Sequence, residues 1–165
     1  MRVCILMAAY NGAAYIDEQI RSVLSQTYAD FELHISDAGS TDETVSIIKE
    51  FMKADPRIKL LEAHRSTGDA KNNFFYLLEH VQGDVFLFCD QDDVWTENHC
   101  EALIWYRKNS VCSAPKEEAL FLRHFTISRT KKRNFFVMFL PLFVFERCFL
   151  QKGRENLARM KIYKT

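Results

Sequence analysis

The chain opens on a continuous apolar run, Val3 to Met7, of the length of a strand buried on both faces. A turn, "AAYNG", separates it from Ile16, Ile20, Val23 and Leu24, whose spacing places them on one face of a helix. Residues 31–36 ("FELHIS") read as a second strand that ends at Asp37. Ser40 and Glu43 then carry a capping-box signature, so the pattern predicts a helix capped by Ser40, with Val45, Ile48 and Met52 as its apolar stripe. "DPR" (55–57) stops that helix, and "IKLLEA" (58–63) reads as a third strand. Residues 70–81 predict a helix with Phe74, Leu77, Leu78 and Val81 on one side. "VFLFC" (85–89) is a fourth strand, running straight into Asp90, Asp92 and Asp93. A further helix is expected over 96–108, with Thr96 as cap and Leu103 and Tyr106 among its apolar positions.

Strands alternating with helices of this length predict an α/β fold, a parallel sheet with helices on both faces. In such sheets ligands bind outside the carboxyl ends of the strands. Three polar clusters fall there: Tyr10-Asn11, Asp37, and Asp90-Asp92-Asp93. Beyond residue 110 the rhythm is lost. The expected organisation is therefore a unit over 1–110 followed by a basic, Phe-rich tail over 111–165.

Charge sharpens that division. The net charge is zero, which points to neither a nucleic-acid binder nor an acidic tail. Residues 1–110 nevertheless hold 10 Lys/Arg against 18 Asp/Glu, and residues 111–165 hold 12 against 4, so the halves carry −8 and +8. At 165 residues the length suits one domain. The five cysteines (Cys4, Cys89, Cys100, Cys112, Cys148) are odd in number and form no C-x-x-C pair, which favours a reducing, cytoplasmic compartment over a disulfide framework. The apolar N-terminal run is short for a signal-peptide core and reads as a strand.

Carboxylates at i and i+2 of an extended segment share a side, so Asp90 and Asp92 can face one site. Like charges that close repel, and a divalent cation removes the cost; hard oxygen ligands suit Mg²⁺ or Mn²⁺ shared with substrate phosphates. The alternative is a solvated acidic turn capping the next helix. Placement after a buried strand favours the site. Asp37 could accept hydrogen bonds from a base or ribose, or close an Asx-type turn on its own backbone. Neither G-x-G-x-x-G after the first strand nor G-x-x-x-x-G-K-[ST] occurs, which disfavours a Rossmann dehydrogenase or a P-loop NTPase. His34, His64, His80, His99 and His124 show no ligand spacing and read as packing or surface residues.

The ordered elements "AYN", "SVLSQTY", "SDAGSTD" and "CDQDDVW", with "KNNF" upstream of the last, resemble the family 2 glycosyltransferases of GT-A fold over residues 1–108. In motif form they are most similar to bacterial rhamnosyltransferases of cell-surface polysaccharide synthesis. The resemblance implies that Ala9, Tyr10 and Asn11 line a nucleotide-sugar pocket and that Asp37 contacts the base. It implies that Asp90 faces the ribose or a metal-bound water, and that Asp92 holds Mg²⁺ or Mn²⁺ on the diphosphate. Asp93 would support the loop. The donor implied is a dTDP- or UDP-sugar, and the acceptor a glycan or glycolipid. Ala38 stands where many members carry a second Asp.

An inverting transfer needs a general base for the acceptor hydroxyl. In the family this is usually a carboxylate beyond the D-x-D, yet Glu117, Glu118, Glu146 and Glu155 are the late carboxylates and none falls in a matching motif. The expectation is a GT-A fold incomplete at its C-terminus. The second reading is a truncated or frame-disrupted member that binds a nucleotide sugar without transferring it. "KKRNFFVMFLPLFVFERCF" (131–149) sets a basic cluster before an apolar run too short to span a bilayer, a segment for peripheral contact with an anionic inner leaflet or for a core.

Overall fold

A computed structural model describes residues 1–61, 70–109, 120–128 and 136–146. In chain order the elements are β1 (Val3–Ala9), α1 (Ile16–Leu24), β2 (Phe31–Asp37), α2 (Thr44–Ala54), β3 (Ile58–Leu61), α3 (Ala70–His80), β4 (Val85–Asp90), β5 (Asp93–Val94), α4 (His99–Asn109), β6 (Leu120–Ser128) and β7 (Phe136–Glu146). They build a seven-stranded sheet in the order β3-β2-β1-β4-β7-β6-β5.

The strands from β3 to β4 are parallel, as the alternation of strand and helix requires. Every residue of β1 is buried, which explains its unbroken apolar run: a central parallel strand has no solvent face. Alternate residues then feed two cores. Val3, Ile5 and Met7 pack with Ile16, Ile20 and Val23 of α1, Ile48 of α2, and Cys100, Leu103 and Ile104 of α4. Cys4, Leu6 and Phe86 face the other way onto Leu77 and Leu78 of α3. Burying each such aliphatic side chain stabilises the fold by about 1.5–3 kcal/mol.

Two strands from beyond residue 110, where the sequence pattern assigns no element, extend the sheet. β7 pairs antiparallel with β4 (Val85↔Glu146 to Leu87↔Val144), and β6 pairs antiparallel with β7 along all nine of its residues, Leu120 to Ser128. The two-residue β5 pairs with β6, so the last acid of the cluster, Asp93, starts the strand that closes the far edge. Of the stretch 131–149, residues 136–146 form β7; 131–135 and 147–149 lie outside the described residues, as do Glu117, Glu118 and Glu155. Among the described residues no helix is long and apolar enough to cross a membrane.

The helix starts differ from expectation. α2 begins at Thr44, after Glu43, and Ser40 does not cap it. The Ser40 hydroxyl is committed elsewhere, donating to Asp37 Oδ1 and accepting from the Asn11 N–H at 2.8 Å. Asp42 takes over at the helix start, accepting from the Thr44 N–H at 3.1 Å and from its hydroxyl. α4 begins at His99, three residues past Thr96.

Candidate functional site

β1, β2 and β4 end together: Ala9 pairs with Asp37 and Ala8 with Asp90. The loop after β1 turns sharply because Asn11 adopts a left-handed backbone (φ 46°), which Asn tolerates better than most residues. Its side-chain oxygen accepts from the Thr41 N–H at 2.9 Å. Gly12 N–H donates to Thr44 Oγ1 at 2.8 Å, and Ala13 N–H to Asp42 Oδ2 at 3.1 Å. With the Asn11–Ser40 bond, these tie the loop after β1 to the loop after β2. From the other face, the buried Asn73 amide of α3 donates to the carbonyls of Ser36 (2.8 Å) and Ala9 (3.3 Å), clamping the two strand ends.

Asp37 is 2% exposed. Its Oδ2 accepts from the N–H groups of Gly39 (2.9 Å) and Ser40 (2.8 Å), and Oδ1 from the Ser40 hydroxyl. Gly39 supplies the positive φ (93°) that this turn needs. The Asx-type turn is thus formed, and Asp37 shapes the loop through its own backbone.

The acidic cluster is less extended than its spacing suggests. β4 stops at Asp90, Gln91 and Asp92 form a turn, and Asp93 starts β5. The argument that Asp90 and Asp92 share a side of one extended strand therefore does not hold, because the backbone reverses between them. Asp90 is half-buried, Asp92 exposed and Asp93 buried. Burial, then the charges of Asp90 and Asp92, push the Asp93 carboxyl up to about 7. Asp90 and Asp92 thus both act on the Asp93 carboxyl. Carboxylate oxygens are the hard ligand type that Mg²⁺ or Mn²⁺ takes, and the residue type at this turn fits such an ion. Ala9 is buried, whereas Tyr10 (44% exposed) and Asn11 lie open at the rim.

Polar residues of α1 hold this turn from below. Gln19 Nε2 donates to Cys89 Sγ at 2.7 Å, and Trp95 N–H to Ser22 Oγ at 3.1 Å. Gln26, from the "SVLSQTY" stretch, donates to the Thr96 carbonyl (2.7 Å) and accepts from Cys100 N–H (2.9 Å). These buried side chains are satisfied across the sheet end, which is why polar residues occur on the inner face of that helix.

Sequence spacing missed two groupings. One is Gln91, whose amide reaches Tyr10 across the two loops; its place between two acids was the available signal. The other is Cys4, Glu32 and His34, whose ligand atoms lie within 4.8 Å of one another near the amino-terminal ends of β1 and β2, away from the carboxyl ends of the strands. Cross-strand neighbours have no sequence spacing to read. Glu32 there is already engaged by Lys59 Nζ (2.8 Å), Arg2 Nη2 (2.7 Å) and His34 Nε2 (3.0 Å), which hold its carboxyl down to about 2. Burial raises the Cys4 thiol to about 11, and Cys4, Cys89 and Cys100 are all buried and unbridged. Cys112, Cys148 and His64 lie outside the described residues.

A family model for glycosyl transferase family 2 matches residues 4–114, so the chain belongs to that family. It is 36% identical over 115 residues to the dTDP-rhamnosyl transferase RfbG of Shigella flexneri, covering 65% of this chain and 40% of that protein. It is 39% identical over 104 residues to the Escherichia coli enzyme named UDP-Glc:alpha-D-GlcNAc-diphosphoundecaprenol beta-1,3-glucosyltransferase WfgD, covering 62% and 39%. The chain thus spans about two fifths of the length of these relatives. Among solved structures, the mannosyltransferase PcManGT of Pyrobaculum calidifontis, in complex with GDP-Man and Mn²⁺, matches with TM-score 0.64 at 22% identity over 91% of this chain and 46% of that one. The fold is GT-A.

Proposed function

We propose that residues 1–110 form the donor-binding half of a glycosyltransferase that acts in cell-surface glycan synthesis on a nucleoside-diphosphate sugar. The observation that carries this reading is the meeting of three strand-end loops around acids that repel one another, in a chain of this family. Asp92 and Asp90 would hold a divalent cation, and Asp37, Ala9, Tyr10 and Asn11 would form the nucleotide side of the pocket. When bound, such a cation supplies charge neutralisation at the diphosphate leaving group. The chain's own contribution is placement: Asn73 and the Asn11–Ser40–Thr41 contacts would hold the base side, while Gln19 of α1 and Gln26 just after it hold the segments that flank the acidic turn.

Rhamnose is the first donor sugar to test, because one relative is named a dTDP-rhamnosyl transferase; a UDP-sugar is the second. The acceptor would be a growing glycan or glycolipid at the cytoplasmic face of a membrane; the pairing of residues 136–146 as β7 between β4 and β6 supports the core reading of the 131–149 stretch. Incubation of the polypeptide with dTDP-rhamnose or UDP-glucose, Mn²⁺ and a lipid-linked acceptor should release the nucleoside diphosphate. Nucleotide binding without release from any donor would instead assign a binding module, and the lack of Asp beyond Asp93 is the feature behind that second reading. Failure to bind either nucleotide would sink both.

A further inference from the structure

We propose that Gln91, between the two acids, is a positioning residue that fixes the Tyr10–Asn11 loop against the acidic turn and so sets the distance between base and diphosphate subsites; this rests on the donor-site reading above. Gln91 Oε1 accepts from Tyr10 N–H at 2.8 Å, and Gln91 Nε2 donates to the Tyr10 carbonyl at 2.9 Å. One side chain thus makes the pair of bonds that a neighbouring strand would make. It carries the β1–β4 pairing past Ala8↔Asp90, where β4 has already turned away.

The chemistry is specific to a primary amide of this length. A Glu would set a carboxylate against the Tyr10 carbonyl, and a Met would fill the space with neither donor nor acceptor. Gly12 completes the arrangement. A Cβ there would lie 2.2 Å from Gln91 Oε1 and 2.5 Å from its Cδ, so a bare backbone is what lets the amide lie flat across the loop. The contacts to Ser40, Thr41, Asp42 and Thr44 secure the loop only toward β2. Gln91 supplies its bond to the side where the acids are.

The test measures UDP and dTDP affinity in Mn²⁺ for the whole chain and for Gln91→Ala, Gln91→Met, Gly12→Ala and the Gly12→Ala/Gln91→Ala pair. Gln91→Ala and Gln91→Met should each weaken binding roughly tenfold, the loss expected of two neutral hydrogen bonds. Gly12→Ala should do the same by expelling the amide, and the double variant should be no weaker than either single one. Wild-type affinity in Gln91→Met, or additive losses in the double variant, would overturn the proposal. Hydrogen exchange at the Tyr10 amide, measured without nucleotide, separates this claim from the donor reading. It should speed up in all four variants, and an unchanged rate overturns the Gln91 role even if no nucleotide binds the wild type.

Discussion

The two sets of carboxylates in this sheet are treated in opposite ways. Glu32, in the body of β2, is surrounded by Arg2, Lys59 and His34, and Asp37 is wrapped by the Gly39 and Ser40 amides and the Ser40 hydroxyl. Asp93 instead is buried against Asp90 and Asp92, and its carboxyl is driven up to about 7. An acid that the chain itself satisfies is part of the scaffold. Acids gathered where β4 ends oppose one another's charging, and under the donor-site proposal a bound cation would relieve that repulsion.

The largest expected effect lies on the satisfied side. Asp37→Ala would remove the buried acceptor of the Gly39 and Ser40 N–H groups and of the Ser40 hydroxyl, and should cost about 3 kcal/mol or slightly more in denaturant unfolding, as for three charge-assisted hydrogen bonds at a part-buried turn. A loss under about 1 kcal/mol would mean that Asp37 is not a scaffold acid.

Asp93 should behave in the reverse sense. Its folded value of about 7 lies above the roughly 3.9 of an unfolded Asp. Its neutral form is therefore favoured in the fold, and the contribution, full below about pH 4, is lost as pH rises through 7. In metal-free protein, Asp93→Asn should raise stability at pH 8 by about 3 kcal/mol and flatten the pH 4–7 dependence. Equal pH profiles in the two proteins would erase the contrast.

Glu32 gives the smallest effect and the opposite slope. Its carboxyl is depressed to about 2, so its contribution is present above about pH 4 and lost as pH falls toward 2. Because Arg2 and Lys59 are half-exposed, Glu32→Gln should cost only about 1 kcal/mol at pH 7 and nothing at pH 2.

Much of this was legible in the sequence because it depends on local pattern. The unbroken run of β1, the stripe of α1 and the strand leading into Asp90 each follow from burial, and parallel topology then brings Asp37 and Asp90 to one edge. What was illegible depends on partners far along the chain. Ser40 looks like a cap until Asp37 and Asn11 claim its hydroxyl. Gln91 looks like a spacer until the Tyr10 backbone lies beside it. β6 and β7 are antiparallel neighbours rather than members of a βαβ unit, and Pro141 falls within β7, so neither the βα rhythm nor a clean strand signal marks them.

The central claim is that the acids of the turn await a cation while Glu32 does not. Calorimetric titration of Mn²⁺ with UDP or dTDP into wild type, Asp92→Ala and Glu32→Gln tests it most directly. The account predicts metal-dependent binding in the wild type, unchanged in Glu32→Gln and weakened about a hundredfold or more in Asp92→Ala. Metal-dependent binding that survives Asp92→Ala, or that disappears in Glu32→Gln, would contradict it.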